Sequence, residues 1–448
     1  MHTLEQLRAG ELAGTRRLDL SEGLTEFPTE IFELADSLEV LNLSGNALSA
    51  LPPELPRLRK LRVLFCSDNQ FTTVPEVLGQ CAELSMVGFK ANQIRTLPAA
   101  ALPPALRWLI LTDNQLESLP AEVGNCRRLQ KLMLAGNRLT SLPDSLANCT
   151  QLELLRIAAN QLTSLPPWLL TLPRLSWLAY AGNPFSDPLE ADAVARHATT
   201  VIDWRELTVQ QQLGEGASGV IYQAQWQPAD APARAVAVKL FKGAVTSDGL
   251  PRSEMAACLS AGAHPHLIAV EGRVGHHPTG AQGLVLRLID PAFRNLAGPP
   301  SLASCTRDVY AADTAFDLAA ALRIAHGIAA ATAHLHAHGI LHGDLYAHNI
   351  LTTPDGDCLL GDFGAACFFD SAAPQALALQ QLEARAFSYL LEELLLRCDA
   401  SAASCDTFRA LLDLQHRCAQ HHVAARPLFA EIQEAVAGLR QLVCAEPE

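Results

Sequence analysis

Three polar side chains in the C-terminal half of the chain have the types and the spacing that phosphoryl transfer needs. Asp344 and Asn349 lie in one loop, and Asp362 opens an Asp-Phe-Gly turn after a short stretch expected to form a hairpin. The Asp344 carboxylate would accept the proton of an attacking hydroxyl, while Asn349 and Asp362 would hold Mg²⁺ against phosphate oxygens. The alternative for Asp344 is an ordinary turn cap, which the presence of the other two side chains disfavours.

Residues 342–349 read His-Gly-Asp-Leu-Tyr-Ala-His-Asn. With the Asp-Phe-Gly turn, they resemble the catalytic loop and metal-binding turn of the protein kinases, His-Arg-Asp-x-x-x-x-Asn followed by Asp-Phe-Gly. The resemblance implies ATP and Mg²⁺ as cofactors, Asp344 as catalytic base, and Asn349 and Asp362 as metal ligands. Gly343 stands where the family usually has Arg, and Tyr346 replaces the Lys typical of serine/threonine kinases, so two cations are missing.

A glycine-rich segment precedes these residues. Gly214, Gly216 and Gly219 lie between two strand-like runs, an alternating one before them and 220–226 after them. A lone G-x-G-x-x-G equally suits a dinucleotide site, but that site needs a helix after the glycines. Here a strand follows, which predicts a hairpin whose backbone N–H groups approach phosphate oxygens.

The apolar run 235–239 ends in a lysine, as in the Val-Ala-Ile-Lys motif of kinases. Lys239 in such a strand needs a partner, and Glu254 supplies one from a helix predicted over 250–260. The alternative for each is a solvated surface charge. Residues 284–289 resemble the strand and hinge that hold the adenine. The predicted nucleotide-binding residues are Leu213, Gly214, Gly216, Gly219, Val220, Ala237, Lys239, Leu286 and Leu288.

The segment after Asp362 is shorter than the family pattern. Only 21 positions lead from Asp362 to Glu383, which stands where an Asp usually braces the catalytic loop, and no Ala-Pro-Glu occurs between them. Arg426, whose usual partner is that missing glutamate, must find another. In the family, the arginine missing at Gly343 binds a phosphorylated activation loop. Because that arginine is absent and the segment is short, we expect an activity that does not need activation-loop phosphorylation. The stretch 290–314 is longer than a usual hinge, and the sequence assigns it no function.

The N-terminal part repeats. Seven asparagines recur at steps of 22 or 23 residues, each inside Leu-x-x-Leu-x-Leu-x-x-Asn or a form of it with another hydrophobic residue in place of a leucine, and usually followed by Leu-Pro. This pattern resembles the leucine-rich repeat family. It predicts an α/β leucine-rich repeat solenoid with N- and C-terminal caps over 1–200, before an α+β bilobal protein kinase fold over 203–442. Cys81, Cys126 and Cys149 take positions of buried aliphatic residues and are predicted to be core side chains.

One side of the predicted repeat strands forms an apolar stripe, which we expect on the concave face. An exposed stripe of this kind indicates a protein-binding surface for a substrate or regulator, and the alternative is packing within the chain. Lys131 lies in the same row, and an adjacent row includes Phe65, Ile110 and Met133. The predicted partner residues are Val40, Val63, Met86, Trp108, Leu154 and Trp177.

Composition narrows the class of protein. The 448 residues are 49% hydrophobic with a formal net charge of −14, which suits a folded acidic protein and argues against nucleic acid or an anionic membrane as partner. No N-terminal signal and no apolar run of about 18 residues is present, so we expect no membrane span and a cytoplasmic location. The twelve Cys include no C-x-x-C pair, which disfavours structural zinc.

Three functions fit these patterns. The first is an ATP-dependent protein kinase that transfers the γ-phosphate to a Ser/Thr hydroxyl, with the repeats recruiting substrate or regulator. The alternative is a pseudokinase scaffold that acts through the concave face of the repeats. Phosphorylation of a small molecule is a third and less favoured possibility.

Overall fold

The computed structural model describes residues 2–196, 200–216, 218–229, 231–243, 245–399 and 405–445. The chain divides into two compact units, one of Met1–Arg174 with Asn183–Phe185 and one of Leu175–Gly182 with Ser186–Glu448. The strand of the last repeat is thus grouped with the second unit, and the domain boundary near residue 200 stays a prediction. The sequence also predicts a helix over 189–197 and a short acidic tail after residue 442, and of these His197 and the last three residues of the chain lie outside the described residues.

The first unit is the predicted solenoid. A short helix, capped by Thr3 and Gln6, precedes strands that pair in parallel and in register. The middle residue of each strand is buried because successive side chains point to opposite faces. The elements are α1 (Leu4–Arg8), β1 (Arg17–Asp19), β2 (Val40–Asn42), β3 (Val63–Phe65), β4 (Met86–Gly88), β5 (Trp108–Ile110), β6 (Lys131–Met133) and β7 (Leu154–Arg156).

The repeated asparagines join neighbouring repeats. Asn160, which is buried, accepts the N–H of Leu139 at 3.0 Å through Oδ1 and donates through Nδ2 to the carbonyls of Leu134 and Ile157. Asn137 makes the same kinds of bond one repeat earlier. An amide with one acceptor and two donors satisfies buried backbone groups where the chain turns, as the repeat pattern predicted.

A short 3₁₀ helix follows the Leu-Pro step on the outer side of the repeats. Proline directly precedes most of these helices, since its fixed φ and missing N–H end strand pairing. Cys81, Cys126 and Cys149 are buried free thiols, and burial raises their pKa to about 11, 11 and 12, which confirms them as core side chains. The 3₁₀ helices are Thr29–Leu34, Leu55–Arg57, Glu76–Gln80, Ala99–Ala101, Ala121–Asn125, Asp144–Asn148 and Pro167–Thr171.

The second unit begins with β8 (Trp177–Ala179) and α2 (Asp187–Arg196), followed by a six-stranded sheet in the order β10-β11-β12-β14-β13-β9. Apolar side chains that include Ile202, Val236 and Val285 form the core of this sheet. The strands and the helix beside them are β9 (Val201–Asp203), β10 (Leu207–Glu215), β11 (Gly219–Trp226), β12 (Arg234–Phe241), α3 (Pro251–Ala261), β13 (Val270–Gly275) and β14 (Gly283–Arg287).

The rest of the second unit is mainly helical. Helix α4 is long and apolar enough to cross a membrane by length and composition, but 67% of its most apolar window is buried, as in the core helix of a folded domain. The elements are β15 (Arg294–Asn295), α4 (Leu318–Ala337), β16 (Ile340–Leu341), β17 (Ile350–Thr352), β18 (Cys358–Leu360), β19 (Cys367–Phe368), α5 (Ala376–Leu395), α6 (Asp406–Cys418) and α7 (Phe429–Ala445). A solenoid followed by a mixed sheet and helices confirms the predicted fold classes.

The predicted partner-binding stripe is largely buried, so the prediction that it is exposed is wrong. Side chains at one register position of stacked strands cover each other, and Lys131 Nζ lies 4.6 Å from the ring centroid of Trp108. Trp177 is 1% exposed because it stacks on other side chains of the second unit. Val40 and Trp108 are half-buried, whereas the fully buried members are Val63, Met86, Leu154 and Trp177.

Candidate active site

The glycine-rich segment forms the predicted hairpin, since β10 pairs antiparallel with β11. A side chain at Gly214 or Gly216 would meet open space. At Gly219 a Cβ would lie 2.4 Å from the carbonyl oxygen of Leu240, so this glycine is needed for close packing of β11 on β12. The glycines therefore differ in role: the first two leave the loop open, and the third holds it to the sheet.

Lys239 on β12 and Glu254 on α3 form an ion pair that is largely buried. Helix α3 begins at Pro251 and ends before Gly262, a residue with a positive φ of 68°. Burial lowers the pKa of Lys239, but the carboxylates of Glu254 and Asp362 outweigh it and raise that pKa. The Lys239 ammonium therefore stays charged, while burial raises the pKa of its partner Glu254.

The catalytic-loop candidates Asp344 and Asn349 are bonded to each other. Asn349 Nδ2 donates to the Asp344 carboxylate at 2.8 Å and to its backbone carbonyl at 2.9 Å. Asp344 is half-buried, and its N–H donates to His342 Nδ1 at 3.3 Å. These bonds orient the Asp344 carboxylate and leave the Asn349 amide oxygen as the atom suited to a cation.

The hairpin of β17 and β18 brings Asp362 to this loop. The Gly361 N–H donates to the Asn349 carbonyl at 3.0 Å, so Asp362 follows directly beside Asn349. Asp362 has φ 51°, a left-handed conformation that costs free energy in a residue other than glycine. Its side chain is exposed, and its carboxylate accepts the Gly364 N–H at 3.1 Å.

One cleft collects much of the predicted nucleotide site. The predicted residues that line it come from the hairpin, β12, α3, β14 and the Asp-Phe-Gly turn, and they are Gly216, Gly219, Lys239, Glu254, Leu286 and Asp362. Sequence reasoning did not identify several further members of the lining, among them Thr246, Asp248 and Cys258. Among the described residues, the predicted nucleotide contacts outside this lining are Leu213, Gly214, Val220, Ala237 and Leu288.

A buried carboxylate braces the catalytic loop. Glu383 on α5 accepts the N–H of Gly343 at 2.5 Å and lies 2.7 Å from His336 Nε2. Burial raises the pKa of Glu383, but His336 and the Gly343 N–H outweigh it, so the pKa is lowered and the group stays ionised. His342 Nε2 lies 2.8 Å from the Gly361 carbonyl oxygen, as in a structural histidine.

The departures from the kinase pattern have structural counterparts. Gly343 has φ 73°, and a Cβ there would lie 2.5 Å from the Ala365 carbonyl oxygen, so an arginine does not fit this position. Arg426 is buried, and its guanidinium donates to the carbonyls of Gln420 and Gln381. Burial lowers the pKa of Arg426 to about 10. Backbone carbonyls thus bind the guanidinium whose usual glutamate is missing.

The residues present fit a magnesium nucleotide. Lys239 and Glu254 pair with each other, so Asp362 in the same lining offers a carboxylate that a divalent cation would balance. Oxygens of carboxylates and amides are the ligands that Mg²⁺ prefers, and Asp362 and Asn349 offer one of each. Asn349 and Asp362 would hold the metal, and Lys239 would hold phosphate oxygens.

Comparisons with known proteins agree with this geometry. Residues 207–382 match the family of protein tyrosine and serine/threonine kinases. Residues 37–58, 104–162 and 127–185 match leucine-rich repeat families. The second unit therefore contains a protein kinase domain. The chain as a whole joins leucine-rich repeats to that domain.

Individual relatives match only parts of this chain. The matched region covers less than half of the length of each relative given below. Serine/threonine-protein kinase mos of Xenopus laevis is 26% identical over 175 residues, 38% of this chain and 45% of that protein. Leucine-rich repeat and calponin homology domain-containing protein 1 of Mus musculus is 33% identical over 126 residues, 27% of this chain and 18% of that protein. Probable inactive serine/threonine-protein kinase roco10 of Dictyostelium discoideum is 34% identical over 123 residues, 26% of this chain and 5% of that protein.

Proposed function

We propose that this protein is an active kinase that transfers the γ-phosphate of ATP to a protein, with Ser/Thr hydroxyls as the acceptors. The observation that carries the proposal is the charged Lys239–Glu254 pair next to Asp362, with Asn349 and Asp344 bonded to each other beside the same turn. Buried charges are costly, and a domain that only held its partners would not need this set.

In this reaction the bond from the γ-phosphorus to the bridging oxygen of ATP breaks, a bond to the acceptor oxygen forms, and ADP leaves. Asp344 receives the hydroxyl proton, and Asn349 keeps that carboxylate oriented through its 2.8 Å bond. Lys239, kept charged by Glu254, orients the phosphates. Bound Mg²⁺ supplies charge neutralisation at the phosphate oxygens.

The repeats would serve this reaction by recruiting a protein, either the substrate or a regulator. The short segment after Asp362 offers little surface for docking a peptide, so a second binding region would raise the effective concentration of the substrate. Half-buried Trp108 is the residue we assign to that contact. A Trp108→Ala variant should keep its transfer to casein while losing the capture of a cellular partner.

A pseudokinase scaffold is the second candidate function, and one observation favours it. Tyr346, at the position where serine/threonine kinases have a cation, is buried and stacks on Trp177 with 4.1 Å between ring centroids. Such a domain would bind nucleotide through the same cleft without transferring phosphate.

The test is transfer from γ-labelled ATP with Mg²⁺ to the protein itself and to casein. Wild type is compared with Asp344→Ala and Asp362→Ala, and with Asp357→Ala as a matched exposed aspartate between β17 and β18. We expect transfer in wild type and Asp357→Ala, and a loss of roughly 1,000-fold in the other two variants. A nucleotide-dependent thermal shift without transfer in wild type would contradict the kinase and support the scaffold.

A further inference from the structure

The strand of the last repeat, β8, lies against the catalytic loop within the second unit. Trp177 stacks on Tyr346 with the ring planes 7° from parallel. Its indole N–H donates to the Leu345 carbonyl at 3.0 Å. Strand β8 therefore contacts the two residues that directly follow the catalytic candidate Asp344.

The residue just after β8 contacts the segment that follows Asp362. The Tyr180 hydroxyl donates to the Phe368 carbonyl at 3.1 Å, and the Tyr180 N–H lies 3.0 Å from Cys367 Sγ. Cys367 and Phe368 form β19, which pairs with β16 directly before the catalytic loop. One short segment, 177–180, thus binds both parts of the site that departs from the kinase pattern.

The same segment explains these departures. The Leu178 carbonyl oxygen would lie 2.8 Å from a Cβ at Gly343, so β8 occupies the space that an arginine side chain would enter. Tyr346 replaces a lysine and gives Trp177 a flat aromatic partner at 4.1 Å. Gly343 and Tyr346 therefore both make room for β8 or pack against it, and the loop that contains them stays ordered by these contacts.

A second tyrosine extends the chain of ring contacts from Trp177. Tyr389 of α5 lies 5.4 Å from the Trp177 ring, measured between ring centroids. The Arg307 guanidinium lies 3.1 Å from the Tyr389 ring centroid, as in a cation–π contact. Arg307 belongs to the stretch 290–314, so this stretch covers one end of the stack.

The other end of the stack is held by the same stretch. Tyr346 lies 5.0 Å from the ring of His348, measured between ring centroids. The ring of His348 is bonded to Asp308, with Nδ1 and Oδ1 2.7 Å apart. The backbone N–H of His348 donates to the same carboxylate at 3.0 Å. The long stretch without an assigned function therefore contacts both end members of this chain of rings, Tyr389 and His348.

We propose that Trp177 and Tyr180 are positioning residues, which hold the catalytic loop and the segment after Asp362 in the working conformation without phosphorylation. This inference rests on the proposed kinase function for its catalytic consequence. In kinases that use a phosphorylated loop, an arginine next to the catalytic aspartate binds the phosphate. Here β8 takes that place, so a strand of the repeat pattern supports the catalytic loop.

The first experiment measures kcat and the KM for ATP in the full-length protein with Trp177 changed. Trp177→Leu removes the stacking and the N–H donor, and Trp177→Phe keeps an aromatic ring. We expect kcat to fall about tenfold or more in Trp177→Leu, with partial recovery in Trp177→Phe and a KM for ATP within about twofold of wild type. Trp168→Phe is the matched control, because it removes an indole donor that bonds Asp144 in the first unit.

A second measurement does not depend on activity. Hydrogen exchange of peptides covering 342–349 and 365–369 should be at least about tenfold faster in Trp177→Leu, and faster at 365–369 alone in Tyr180→Phe, with Trp168→Phe unchanged. If wild type transfers no phosphate but exchange rises in this way, the proposed function fails while the loop-positioning role stands. Exchange and kcat within about twofold of wild type in Trp177→Leu and Tyr180→Phe would overturn the proposal.

Discussion

The candidate nucleotide cleft and the candidate catalytic loop lie in the same kinase domain, but they keep the kinase pattern to different degrees. In the cleft, Lys239, Glu254 and Asp362 keep the residue types of the family, and the first two form an ion pair. In the loop, Gly343 and Tyr346 depart from the family, and both pack against β8. Under the proposed function the cleft residues would contact ATP and metal and are constrained by that chemistry, whereas the residues that hold the loop in place are constrained only by what packs on them.

The largest loss of phosphoryl transfer should come from removing the lysine of the cleft. Lys239→Met removes the ammonium and leaves Glu254 and Asp362 uncompensated, so we expect phosphoryl transfer to fall by roughly 100- to 1,000-fold. The measurement is the initial rate of transfer at saturating ATP. Lys60→Met, at an exposed lysine of the repeats, should leave the rate unchanged. A Lys239→Met protein with near wild-type transfer would remove the distinction between cleft and loop.

The packing of the loop is tested by Gly343→Ala, which adds one Cβ. The new Cβ would clash with the carbonyl oxygens of Ala365 and Leu178 in a backbone at φ 73°. We expect a loss of about 3 kcal/mol in the free energy of unfolding, measured by denaturant titration. Gly280→Ala is the matched control, since Gly280 has φ 72° and open space around it, so it should lose only about 1 kcal/mol. Equal losses would show that β8 does not crowd the loop.

The sequence predicts contacts between neighbouring elements of this site better than contacts between distant ones. Lys239 and Glu254 are separated by 15 positions, and a strand followed by a helix was enough to pair them. The bond from Trp177 to Leu345 spans 168 positions, and no local pattern encodes such a contact. The repeat period located Trp177 on a strand and predicted its face, but it did not reveal what covers that face. The predicted exposure of Trp177 was wrong for this reason, whereas Val63, Met86 and Leu154 are buried among the repeat strands themselves.

A smaller effect is expected at Glu393. Its carboxylate accepts the Tyr310 hydroxyl at 3.1 Å, and Tyr310 belongs to the stretch 290–314. Burial, with the nearby charge of Asp308, raises the pKa of Glu393 from 4.5 to about 7. The folded state then binds a proton more tightly than the unfolded state. The contribution of this proton to stability is complete below pH 4.5 and is lost as the pH rises through about 7.

Glu393→Gln should therefore remove this pH dependence and make the protein more stable than wild type at pH 8 by about 2 kcal/mol. The measurement is the free energy of unfolding at about pH 5, 6, 7 and 8. Glu392→Gln, at an exposed neighbouring position, should keep the wild-type slope. A Glu393→Gln protein with the wild-type slope would mean that this carboxyl is ionised in the folded state throughout.

The most direct test combines the intact cleft with the unusual loop. Full-length protein is treated with phosphatase until mass spectrometry finds no phosphate, and transfer from γ-labelled ATP to casein is then timed from the first seconds. We expect the initial rate to stay within about twofold of the untreated rate and to be lost in Asp344→Ala. A wild-type protein that transfers nothing, or one that starts only after it has phosphorylated itself, would contradict this expectation.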